Sequence, residues 1–220
     1  MLDARVDPGE IAGIYRRIAP VYNVWATLAE SRARKLCLRL AAIRDGEAVL
    51  EVAVGTGLAF AGILAANPGG RNEGIDLTEA MLTRARRRAN RNGNDNFRLS
   101  VGDARALEFP DCQFDVVINN YMFDLLPETD FLPVLTEFRR VLRPGGRLVI
   151  SGMTTGKRWY NRLWERVYRL NPALLGGCRG VELLPYVQRT GFIDAQRSYI
   201  SQMTFPSEII HAVVPQQRIE

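Results

Sequence analysis

The chain has 220 residues, of which 47% are hydrophobic and 24% charged, and a formal net charge of +5. That length supports one domain with a sizeable buried core, and the composition excludes wholesale disorder. No apolar run approaches the roughly 20 residues that span a bilayer, Met1–Glu10 lacks the apolar core of a secretion signal, and Cys37, Cys112 and Cys178 lie far apart without metal-ligand spacing, so a reduced cytoplasmic chain without a metal is expected.

Ile11–Leu28 and Ser31–Ile43 carry helical periodicity and predict an N-terminal helical lid over residues 1–45. Residues 46–152 then alternate strand and helix. Strand Ala48–Ala53 runs into Gly55-Thr56-Gly57 and a helix over Leu58–Ala66. Strand Asn72–Ile75 ends at Asp76, ahead of a helix over Thr78–Asn92. Strand Phe97–Val101, strand Phe114–Asn119, helix Asp130–Leu142 and strand Arg147–Ser151 follow, with Gly69-Gly70, Asn92-Gly93 and Pro144-Gly145-Gly146 marking turns. Beyond Ser151 the pattern changes. Residues 153–190 read as an insertion, with an aromatic- and arginine-rich helix over Lys157–Leu170, a Pro/Gly-rich loop over Asn171–Gly180 and a helix over Val181–Thr190. Residues 191–220 supply closing strands Phe192–Ile200 and Ile209–Val214, joined around Pro206. The expected fold is α/β, a doubly wound, seven-stranded, mainly parallel Rossmann-like sheet with one antiparallel strand.

Ligands of such sheets bind at the carboxyl ends of the strands, near the point where strand order reverses. The glycine turn, Asp76, Asp103 and Asn119 all fall at such ends. Gly55 and Gly57 allow close backbone approach, and an acid closing the second strand suits a ribose diol. A nicotinamide-binding turn requires a third glycine where Phe60 stands, and a phosphate-binding Walker loop requires a Gly-Lys-Ser/Thr that is missing.

Glu51-Val52-Ala53-Val54-Gly55-Thr56-Gly57 resembles the first-strand motif of class I S-adenosylmethionine-dependent methyltransferases. Gly102-Asp103-Ala104, Phe109-Pro110-Asp111-Cys112-Gln113-Phe114-Asp115 and Arg140-Val141-Leu142-Arg143-Pro144-Gly145-Gly146 follow the same family's pattern, from about Ala48 to Ser151. The resemblance implies S-adenosylmethionine as cofactor and S-adenosylhomocysteine as product. It assigns the ribose to Asp76, with Leu77 and Met81 flanking the cofactor, the adenine edge to Asp103 and Ala104, and the methionine moiety to Asn119. Glu51 would order the polar end, and Ala53, standing for the family's first glycine, implies an adjusted turn. Within the superfamily, Ile18-Ala19-Pro20-Val21-Tyr22-Asn23 is similar to a signature of the ubiquinone/menaquinone biosynthesis C-methyltransferases, which places Tyr22 near the cofactor. Asn23 replaces that group's usual acid, and Asn119-Asn120-Tyr121-Met122-Phe123-Asp124 stands where those enzymes carry a Phe-Gly-x-Arg-Asn-type segment.

Methyl transfer from a sulfonium is an in-line displacement, in which alignment and exclusion of water supply much of the rate. A base is needed only for a nucleophile that arrives protonated. Asn119, Asn120, Tyr121 and Asp124 are placed to orient an acceptor, with Asp124 and Tyr121 the catalytic candidates and a helix cap the alternative for Asp124. His211, the only histidine, falls in a closing strand and reads as structural. The expected acceptor is small and hydrophobic or aromatic, between Tyr15–Trp25 and the insertion after Gly152, with C- or O-methylation of a quinol- or phenol-like ring. N-methylation of phosphatidylethanolamine, S-methylation of a thiol (Gly176-Gly177-Cys178-Arg179), RNA methylation and non-catalytic cofactor binding are the alternatives.

Tyr160, Leu163, Trp164, Val167 and Tyr168 share one face of the Lys157–Leu170 helix, opposite Arg158, Arg162, Arg166 and Arg169. Such a helix can pack on the sheet, cover the acceptor, lie peripherally on an anionic membrane or contact a partner such as a second copy. The basic run Arg84–Arg91 reads as a solvated helix face. No nucleic-acid-binding motif accompanies it, so no sequence-specific nucleic-acid partner is expected.

Overall fold

The computed structural model describes residues 31–91, 93, 95–155, 178–202 and 204–216. The helix expected over Ile11–Leu28, Tyr22 within it, and the Lys157–Leu170 segment lie outside the described residues. No described helix is long and apolar enough to cross a membrane.

All five residues of β1 (Ala48–Val52) are buried, as for a strand covered on both faces. Its parallel neighbours are β2 (Arg71–Asp76) and β4 (Phe114–Asn120). Beyond β2 lies β3 (Phe97–Val101), and beyond β4 lies β5 (Leu142–Met153), both parallel. The C-terminal strands β6 (Ile193–Gln202) and β7 (Phe205–Val213) complete a seven-stranded sheet of order β3-β2-β1-β4-β5-β7-β6, in which β7 is antiparallel to both neighbours. The predicted architecture and its single antiparallel strand are therefore present. Strand order reverses between β1 and β4, which locates the ligand crevice at their carboxyl ends.

Three helices cover one face: α1 (Ser31–Ala41), α2 (Phe60–Ala66) and α3 (Glu79–Asn90). Ala33, Cys37 and Ala41 recur every fourth residue and bury that stripe of α1 against the sheet. The side chain of Gln202, at the end of β6, accepts a hydrogen bond from Arg32 N (2.9 Å) and so fixes the start of α1. The opposite face carries α4 (Phe131–Val141) and α5 (Leu184–Arg189), with Phe123, Phe131 and Phe138 in edge-to-face contact at its centre.

Several boundaries differ from the sequence reading: the helix expected over Val181–Thr190 spans Leu184–Arg189, and three further differences have a local cause. Pro206, expected in the connection, lies inside β7 opposite Ser201. It is tolerated there because the β5 ladder has ended and only its carbonyl is used, accepting from Thr154 N (3.1 Å). The Pro144-Gly145-Gly146 turn is present as a bulge inside β5 rather than ahead of it: Leu142 pairs with Phe114 and Arg147 with Val116. Helix α2 begins at Phe60 rather than Leu58, since residues 54–59 are consumed by the glycine turn.

Candidate functional site

A cavity of about 390 Å³ opens at the reversal point, lined by the carboxyl ends of β1, β2 and β4 and the turn after β3. Its first wall is the turn following β1. Ala53 has φ +58°, Gly55 +56° and Gly57 +77°. The family's first glycine is thus replaced without a change of backbone region. Ala53 adopts the left-handed conformation a glycine would, at a steric cost of about 1–2 kcal/mol. A Cβ at Gly57 would lie 2.9 Å from Ala85 Cα, so this glycine serves the close packing of the turn on α3. A Cβ at Gly55 would meet no protein atom within 4 Å, which leaves that glycine open on the cavity it lines.

Asp76 ties the turn to β2. One carboxylate oxygen accepts from Gly55 N (2.8 Å), and the other from Thr78 N (3.0 Å) and Thr78 Oγ1 (3.1 Å). Burial raises its pKa, and these donors oppose the rise. A carboxylate offers about four acceptor positions, so one remains for a ligand hydroxyl. Leu77, more than half exposed, and Met81 line the cavity beside it.

At the far rim, Asp103 and Ala104 also line the cavity. Both Asp103 oxygens are engaged by Arg105, through its backbone N (2.9 Å), Nε (3.1 Å) and Nη2 (2.7 Å), which holds that carboxyl below its usual range. Arg105 in turn lies 3.4 Å from Asp130. The sequence reading missed this arginine.

Beneath the cavity, Glu51 is buried. Its Oε1 accepts from Asn120 Nδ2 (3.3 Å), Asn120 Oδ1 accepts from Ser151 Oγ (2.6 Å), and Oε2 has no hydrogen-bond partner among the described residues. Burial pushes the carboxyl up to about 8, opposed by Asn120 and Arg34. A buried carboxyl with one unpaired oxygen, bonded to the cavity-lining Asn120, and an Asp76 carboxylate with one acceptor position left fit a ligand carrying a hydroxylated sugar and a polar end.

Four expected residues among those described do not line the cavity: Glu51, which reaches it only through Asn120, Gly57, which packs on α3, and Asn119 and Asp124. Asn119 is buried on the α4 face, donating to Val52 O (2.9 Å). Strand alternation turns Asn120 the other way, into the cavity. Asp124 is sealed beneath its loop, and burial pushes its carboxyl up to about 6; it does not line the cavity as an acceptor-side base would. Tyr121 does line it, with φ +52°, and its hydroxyl lies 2.7 Å from Ser207 Oγ. Met122, Leu125 and Leu126 continue this wall with apolar side chains. Period-2 alternation could have selected Asn120 over Asn119; nothing local announces Leu125 and Leu126. His211 lies in β7 opposite Val149 of β5 and Gln196 of β6, two strands from β4 and outside the cavity lining.

The class follows from comparison with known proteins. A family model described as a methyltransferase domain matches residues 49–146. The chain is 36% identical over 170 residues to the demethylmenaquinone methyltransferase of Thermus thermophilus, covering 74% of this chain and 76% of that protein. It belongs to this methyltransferase family. It is also 33% identical over 164 residues to the demethylmenaquinone methyltransferase of Tropheryma whipplei, where the match covers 71% of this chain but 66% of the relative's length. Among solved structures, a phosphoethanolamine N-methyltransferase of Haemonchus contortus, in complex with phosphomonomethylethanolamine and S-adenosylhomocysteine, shares the fold with a TM-score of 0.68 at 18% identity, over 84% of this chain and 53% of that one.

Proposed function

We propose that the protein is an S-adenosylmethionine-dependent methyltransferase for a small hydrophobic or aromatic acceptor, with a quinol-like ring methylated at carbon or oxygen. One observation carries the reading: a single cavity runs from a polar, backbone-rich end (Ala53, Gly55, Asp76, Asp103) to an apolar end (Tyr121, Met122, Leu125, Leu126). When bound, the cofactor supplies an electrophilic methyl group on a sulfonium. Asp76 would take the ribose hydroxyls, Leu77 and Met81 the faces of the base, Asp103 and Ala104 its edge, and Glu51 the polar tail. The apolar wall would hold an electron-rich ring in line and keep water out, which is where such a displacement gains most of its rate.

The kinship with demethylmenaquinone methyltransferases supports a quinol. The uncharged side chains at the acceptor end favour a neutral ring over an amine head group. Titration calorimetry with S-adenosylmethionine tests the donor. Transfer of labelled methyl to a geranylated 1,4-naphthohydroquinone, run beside phenols, thiols, ethanolamine phospholipids and RNA, tests the acceptor. Incorporation only into one of the latter would overturn the quinol reading.

A further inference from the structure

Arg179 is a fully buried arginine at the point where the chain returns from residues 156–177. Its guanidinium donates to two backbone carbonyls of one turn, Nη1 to Asp124 O (3.1 Å) and Nη2 to Leu126 O (2.6 Å), while its own backbone N donates to Asp124 O (3.1 Å). The guanidinium carbon sits 5.8 Å from the centre of the Phe131 ring, and its charge opposes that of the buried Asp124 carboxylate. The turn it grips, Met122–Leu126, supplies Met122, Leu125 and Leu126 to the cavity. Within that turn Leu125 N donates to Met122 O (2.9 Å) and Leu126 N to Phe123 O (3.3 Å).

The residues that follow are fastened to the sheet. Val181 N donates to Met153 O (3.1 Å), Thr155 Oγ1 to Glu182 Oε1 (2.7 Å), and Leu183 N to Glu208 Oε1 (3.2 Å). A Cβ at Gly180 would lie 3.0 Å from the Thr154 backbone, so the two segments touch. Arg179 therefore links an anchored strip to the backbone carbonyls of the wall, which Phe123 also pins to the core through Phe131 and Phe138. A planar, forked donor can span two carbonyls at once, and a lysine ammonium on a flexible stem cannot hold both in one geometry. The bonds around the cofactor turn, Val54 N to Ile75 O (3.0 Å) and Gly55 N to Asp76, involve none of these groups.

We propose that Arg179 is a positioning residue for the acceptor: it fixes the Met122–Leu126 wall, and so sets acceptor affinity, without acting on the cofactor half of the cavity. The inference rests on the methyltransferase reading above. The test is Arg179→Lys in the full chain, with three readouts: KM for geranylated 1,4-naphthohydroquinone, calorimetric Kd for S-adenosylmethionine, and hydrogen–deuterium exchange of peptides covering 122–126 and 53–57. The expected result is a KM raised about tenfold by the displaced wall, a cofactor Kd within about twofold, and faster exchange confined to 122–126. A cofactor Kd that worsens in step with KM would overturn the proposal, since it marks general loss of structure; so would an unchanged KM with unchanged exchange. If Arg179→Lys does not fold, Arg179→Gln, which keeps a neutral donor but removes the two-pronged fork, is judged by the same readouts. If the wild type transfers no methyl to the naphthohydroquinone, the quinol reading fails, and exchange in the two peptides still decides whether Arg179 holds the wall.

Discussion

The two ends of the cavity are built by different means. The cofactor end is made of short turns at strand ends, where Ala53, Gly55 and Asp76 act through backbone conformation and a side chain bonded to backbone. The apolar end, proposed above to take the acceptor, is made of side chains held by residues distant in sequence, Ser207 at Tyr121 and Arg179 at the turn that follows. A ligand gripped by backbone demands particular residues at particular spacings. A ligand gripped by an apolar wall demands only shape, which many sequences supply.

Substitutions can break that contrast. Asp76→Ala removes the acid that holds Gly55 and would face the ribose. Hydrogen bonds to a charged group are worth about 1.5–3 kcal/mol, so cofactor affinity should fall roughly 10- to 100-fold in calorimetry. An unchanged Kd would dismiss the cofactor assignment. Gly57→Ala forces a methyl against Ala85 at positive φ. A loss of about 3 kcal/mol of stability is expected in urea unfolding; a loss below about 1 kcal/mol would mean that α3 yields easily.

Glu51→Gln separates charge from shape. Because the folded-state pKa of Glu51 is raised from its usual value to about 8, the folded protein holds that proton more tightly than the unfolded chain does. The wild type is therefore best stabilised at this group below the ordinary carboxylate range and loses that advantage as pH climbs toward 8. The glutamine variant should melt close to wild type at pH 5 and above it at pH 8. A gap that narrows between those two pH values would contradict the assignment. Tyr121→Phe deletes the hydroxyl paired with Ser207, at a cost of about 1 kcal/mol of stability. If that hydroxyl is structural, kcat stays within a few-fold of wild type. A fall of about 100-fold would make it catalytic, as a general acid or base is worth that much. The smallest effect belongs to Ala53→Gly, where relief of the left-handed strain is partly offset by a freer unfolded chain, for a net gain of about 0.5–1 kcal/mol in urea unfolding.

The same division decided what could be read from the sequence. The sheet was legible, because each strand and turn carries its own local signal, and Ala53, Gly55, Asp76, Leu77, Met81, Asp103 and Ala104, expected at its ligand end, line the cavity there. Asn119 lies off the cavity because one step in register changes the face a strand residue occupies, and Asp124 because the turn after β4 buries its side chain. Leu126 and Arg179 were invisible as partners, since a buried guanidinium reaching a carbonyl 53 residues away leaves no periodic trace.

The bonds from Val181 to Met153 and from Thr155 to Glu182 hold the described residues on either side of 156–177 against each other. A segment whose ends are pinned together can be lengthened or exchanged for little added closure entropy, roughly 0.6 kcal/mol per doubling. Protein engineers could graft that stretch from one relative onto another as a cassette. The sheet would serve as a fixed chassis for such exchanges.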